Sequence, residues 1–201
     1  MSALRTLIDA IAEGDAARCA DLLAAEPGLA LASVEGGATR DDASANYLVS
    51  IEHYVYAGDT ALHIAAAAYQ PEIAARLIAL GADVRAKNRR AAQPLHYAAD
   101  GHPASPGWNP QAQAATIARL MEGGADPNAE SQGSVTPLHR AVRTRCAAAV
   151  AALLAGGAEA GRKTASGSTP LMLATRQTGR GGSGSPEAKA QQAEIVRLLE
   201  S

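Results

Sequence analysis

Apolar residues in this chain follow two alternating patterns. Short Ala-rich runs, such as His63-Ile64-Ala65-Ala66-Ala67, alternate with longer stretches that close on adjacent apolar pairs: Leu77-Ile78, Leu120-Met121, Leu153-Leu154 and Leu198-Leu199. Both kinds read as helices, a short one followed by a longer one. Glycine follows three of the pairs at Gly81, Gly124 and Gly157, where a left-handed C-cap is expected. Each short run opens in a related way: Thr60-Ala61-Leu62-His63, Gln93-Pro94-Leu95-His96, Thr136-Pro137-Leu138-His139 and Thr169-Pro170-Leu171-Met172. A Thr hydroxyl caps a helix start, and Pro at the next position has its φ preset and no N–H to leave unpaired.

The four openings are spaced by 33, 43 and 33 residues. A second landmark, Gly81-Ala82-Asp83, recurs as Gly124-Ala125-Asp126 and Gly157-Ala158-Glu159, spaced by 43 and 33. Both landmarks stretch in the same unit, which is a 33-residue period carrying one ten-residue insertion.

Thr-Pro-Leu-His, the apolar pair and Gly-Ala-Asp at this period resemble the ankyrin repeat. The resemblance covers roughly 58–201 and extends more weakly to 3–27, where Leu7, Ile8, Ala10, Gly14, Leu22 and Leu23 look like an N-terminal cap. It implies an all-α solenoid of stacked helix-turn-helix units, with β-hairpin loops projecting between neighbours and a concave face lined by the first helices and the hairpins. The expected organisation is a single domain over 1–201. It comprises a capping helix pair at 3–27, an inserted hairpin finger at 28–57, and repeats at 58–90, 91–133, 134–166 and 167–201. Repeat 2 holds an inserted loop at 101–110 and repeat 4 a Gly-rich insertion at 179–186.

Three departures from the repeat pattern draw attention. Residues 47–56 (Tyr-Leu-Val-Ser-Ile-Glu-His-Tyr-Val-Tyr) have strand composition without a helical period, and residues 29–34 are expected to pair with them in an elongated finger. Tyr47, Tyr54 and Tyr56 lie on it; tyrosine suits a binding surface, and the same rings could instead cover the open end of the solenoid. The second departure, at 101–110, contains three prolines and the single Trp108, read either as packed on its own repeat or as offered to a partner. The third, at 179–186, is Gly-rich and leads into a helix capped by Ser185 and Pro186. It lacks the preceding strand and the Gly-Lys-Ser/Thr ending of a phosphate loop, and a linker is the expectation.

Composition narrows the classes. Ala supplies 49 of 201 residues and Phe none, so the core must be built from closely packed helices. No apolar run reaches the length of a membrane span, and Asp9, Glu13 and Asp15 break any signal-peptide core. Cys19 and Cys146 make no disulfide framework, and a reducing, cytoplasmic setting is expected. Ala- and Arg-rich usage suggests a bacterial source. A net charge of −2, with no aromatics interleaved among the basic residues, argues against nucleic acid.

Charge at particular positions is more informative. Fifteen of the eighteen basic residues are Arg, which binds carboxylates and phosphates through a planar fork. The resemblance directs Asp100, Arg143 and Arg176 toward the concave groove. Arg140 and Arg145 flank them, and Lys87, Arg89 and Arg90 occupy a hairpin tip. The expected function is non-catalytic recognition of a partner protein, with an acidic segment received on this Arg-bearing face by a monomer. A small anionic ligand near repeat 3 and the Gly-rich loop is the alternative, and an enzyme built on Cys146 is a more distant one. Neither metal nor cofactor is expected. His63, His96 and His139 are equivalent across repeats about 10 Å apart, too far to share an ion, and the resemblance makes them scaffold residues.

Overall fold

A computed structural model of the chain describes residues 2–101, 103, 108–176 and 186–201. Among them are ten α-helices and one two-stranded hairpin. The helices α1 (Ala3–Glu13) and α2 (Ala16–Ala25) form the N-terminal pair. Ser2 caps α1 by accepting from the Arg5 N–H, Asp15 caps α2 by accepting from the Arg18 N–H, and Gly14 turns between them at φ 74°. Four further pairs follow: α3 (Ala61–Ala67) with α4 (Pro71–Ala79), α5 (Pro94–Ala99) with α6 (Pro110–Glu122), α7 (Pro137–Arg143) with α8 (Ala147–Ala155), and α9 (Pro170–Thr175) with α10 (Pro186–Glu200).

Proline opens α5, α7 and α9 at the first turn. The second helices end as their glycines require, with Gly81, Gly124 and Gly157 at φ 92°, 93° and 91°. Beyond each glycine, the N–H of Ala82, Ala125 or Ala158 donates back to Leu77, Leu120 or Leu153, closing the carbonyls that the helix leaves open. First helices stack on first helices from α1 to α9, and second helices stack on second from α4 to α10, while α2 packs on α1 and on the turn that follows it. Leu62, Leu95 and Leu138 occupy equivalent, fully buried sites. Leu171, at the corresponding position of α9, is half-buried.

Residues 27–59 contain the hairpin expected near the N-terminus, in a shorter form than an elongated finger. Strands β1 (Tyr47–Leu48) and β2 (His53–Tyr54) pair antiparallel, Tyr47 opposite Tyr54 and Leu48 opposite His53. A 3-10 turn at Val49–Ile51 and left-handed Glu52 join them. Residues 29–34 do not pair with this hairpin. Leu29 and Ala30 sit in a 3-10 turn, Pro27–Ala30, and are buried in the core beside α1 and α3. Val34 instead exchanges backbone hydrogen bonds with Gly58 and Asp59 at 2.7 and 2.8 Å, and Ala38 donates to Val55 at 2.7 Å. Burial of Leu29 in the solenoid outweighs extended pairing, so the insertion folds back onto the repeats.

Candidate functional site: the concave groove

Three histidines set the spacing of the groove. The Nδ1 of His63, His96 and His139 accepts from the backbone N–H of Thr60, Gln93 and Thr136, at 3.1, 3.2 and 3.2 Å. This leaves Nε2–H to donate to a carbonyl of the following hairpin: Ala92 at 3.1 Å, Val135 at 3.0 Å and Ser168 at 3.2 Å. Burial holds all three rings neutral by lowering their pKa, at His96 to about 3. Each ring therefore ties one repeat to the next.

The position after each histidine, and after Met172 in the fourth opening, reports what covers it. Ile64 and Tyr97 are buried, Arg140 is partly exposed, and Leu173 is half-buried. The cover over Tyr97 is the insertion. His53 on β2 packs edge-on against Tyr97, with ring centroids 4.5 Å apart. Beneath it lies a buried polar network that the repeat pattern alone does not reveal. Asp59 accepts from the Tyr97 hydroxyl at 2.9 and 3.0 Å, from Asn88 Nδ2 at 2.9 Å and from the Tyr56 N–H at 2.7 Å. Burial and the Asp59 charge push the Tyr97 hydroxyl well above the usual tyrosine range.

The expected contact residues divide sharply between this covered half and the open half. Tyr56 lies under both hairpin-tip arginines, Arg89 and Arg90, whose guanidinium carbons stand 5.2 and 4.9 Å from its ring centroid. Arg89 also donates to the Ala38 carbonyl, and Arg90 reaches the Tyr56 hydroxyl at 3.4 Å. Tyr47 packs on Tyr54 at 4.7 Å, and Tyr54 stays 39% exposed. Lys87 extends into solvent from the same tip. Asp100 is bound to Arg140 at 2.6 Å, and the pair closes a cavity of about 210 Å³ shared with Glu52, His53, Tyr54 and Arg90. Trp108 turns onto its own repeat, donating to Gln113 Oε1 at 2.9 Å. Arg145 is buried in the turn between α7 and α8, 6% exposed.

Arg143 and Arg176 are different. Both are exposed, at equivalent positions of α7 and just after α9, and they line one cavity of about 340 Å³. Its other walls are the hairpin tip with Thr164, Ser166 and Ser168, and an apolar floor including Val135 and Leu173. Neither arginine is in an ion pair among the described residues, whereas Arg5, Arg18, Arg119, Arg140, Arg162 and Arg197 all are.

The catalytic candidate fares differently. Cys146 is fully buried, and burial pushes its thiol up to about 11, so almost none is thiolate at neutral pH. His102 and the segment 177–185, with the Ser185 cap, lie outside the described residues. Among the described residues no group of three His, Cys, Asp or Glu side chains could hold a metal ion, and no helix is long and apolar enough to cross a membrane.

The sequence profile of the ankyrin repeat matches residues 57–89, and the profile described as ankyrin repeats in many copies matches residues 120–174. Ankyrin repeats are therefore present in the chain. The gap between the matched segments contains the stretched second repeat. No curated protein matches the chain at a significant level. Ankyrin repeats are generally protein–protein interaction modules and typically non-catalytic, which implies a protein partner for this one.

Proposed function

We propose that the protein is a monomeric, non-catalytic recognition module that receives an acidic segment of a partner protein in the open half of its concave groove, over repeats 3 and 4. The carrying observation is the cavity between α7 and α9, where Arg143 and Arg176 stand free of ion pairs. Exposed cations with no internal partner are available to a ligand's carboxylates at little desolvation cost. A rigid repeat array also presents this surface without an ordering cost on binding. The proposed units remain a cap at 3–27, an insert at 28–57 and four repeats from 58 to 201, and two buried thiols suit a reducing compartment such as the cytoplasm.

Affinity capture from the native host with cross-link mapping tests the reading. Wild type is expected to retain a partner cross-linked near α7 and α9 through an Asp- or Glu-rich segment. Arg143→Glu with Arg176→Glu is expected to lose it, while Arg197→Glu, on the far helix α10, keeps it. Equal retention by the double variant overturns the proposal.

A further inference from the structure

Arg143 and Arg176 belong to successive repeats, yet they open on one cavity rather than two. Among the described residues no carboxylate lines that cavity, and the residues outside the description include neither Asp nor Glu. The charge of Glu130 reaches His139 on the cavity wall, but Glu130 is itself held by Arg162 at 3.2 Å. Two guanidinium charges are therefore concentrated on one site without a counter-charge from the protein.

The remaining wall supplies hydroxyls. Thr164 Oγ1 accepts from the Ser168 N–H at 3.2 Å and sits 3.0 Å from Ser166 Oγ. Whichever of Thr164 and Ser166 donates to the other, the pair keeps one O–H to offer. The Ser168 hydroxyl forms no hydrogen bond among the described residues. A carboxylate carries one charge and two oxygens, which leaves half of the cationic charge and several donors unused. A phosphoryl group on a side chain carries about −1.5 to −2 charges at neutral pH and three acceptor oxygens. It matches two Arg forks and a hydroxyl in both charge and donor number.

We infer that the cavity between α7 and α9 is a subsite for a phosphorylated side chain, presented by the partner segment. The inference rests on the groove being the partner-binding face. The adjacent cavity of about 210 Å³ shows the contrast, because Glu52 and Asp100 line it alongside Arg90 and Arg140 and would repel a dianion.

The test is a titration followed on the Arg Nε–Hε NMR signals of the whole chain. Its probes are Gly/Ser peptides with a central phosphoserine, glutamate or serine, together with inorganic phosphate. The phosphoserine peptide is expected to bind at least about tenfold tighter than the glutamate peptide, one additional charge-assisted hydrogen bond being worth that much. The signals of Arg143 and Arg176 are expected to move. Arg143→Ala and Arg176→Ala, both at exposed sites, are each expected to abolish the preference, and Arg197→Ala to keep it. Equal binding of the glutamate and phosphoserine peptides through the same arginines overturns the phosphoryl subsite and leaves the acidic-groove reading standing. If no peptide moves those signals, both fall. Inorganic phosphate binding as tightly as the phosphopeptide overturns the assignment to a partner's side chain.

Discussion

At the scale of single residues, the histidine ladder couples repeat stacking to pH. The rings of His63, His96 and His139 are neutral in the folded chain because burial lowers their pKa, at His96 to about 3. In the unfolded chain each titrates near about 6.5. Between those values the unfolded state binds more protons, so stability is complete above about pH 6.5 and is lost as pH falls through the window. The slope is up to about 1.4 kcal/mol per pH unit for each ring. Urea denaturation at pH 7 and pH 5 is expected to show the loss, and His96→Asn to show a smaller pH difference than wild type. An unchanged pH difference in His96→Asn would contradict the role given to that ring.

At the scale of elements, the first helices are short, and most of their stability comes from packing rather than helix propensity. Leu138 and Leu153 fill fully buried sites on facing helices α7 and α8. Leu138→Ala or Leu153→Ala is expected to cost roughly 2–5 kcal/mol in chemical denaturation, and a value within error of wild type would contradict the assigned faces. These elements were legible in the sequence because each carries local punctuation: Thr-Pro before α7 and α9, and Gly81, Gly124 and Gly157 after the second helices. The insertion was less legible. Residues 47–56 do contain a hairpin, but only two residues of each strand pair, because the rest of the segment answers to the surface beneath it. Leu29 goes into the core, and Tyr97 takes His53 as its cover. Such choices depend on residues far along the chain, and no period of 2 or 3.6 records them.

At the scale of the whole molecule, the solenoid is unequally supported along its axis. Helix α3 lies between α1 and α5 and buries six residues, whereas α9 stacks on one first helix, α7, and buries only Pro170 and Ala174. Hydrogen exchange is expected to open α9 and α10 well before α3 and α5, since local opening follows the density of buried contacts. Equal protection across the array would show that it unfolds as one unit. The candidate site was partly legible at this scale. The family resemblance nominated Arg143 and Arg176, and it could not foresee that Arg140, Arg89 and Arg90 would be engaged by the molecule's own Asp100, Ala38 and Tyr56.

The folded-back insertion also gives the groove a direction. An ordinary array can be traversed from either end, whereas here the N-terminal half is stoppered by the protein's own tyrosines. On the proposed reading, a partner segment laid along α9 and α7 runs toward the half that Tyr54 and Tyr56 already line, and its recognition is expected to lie over repeats 3 and 4.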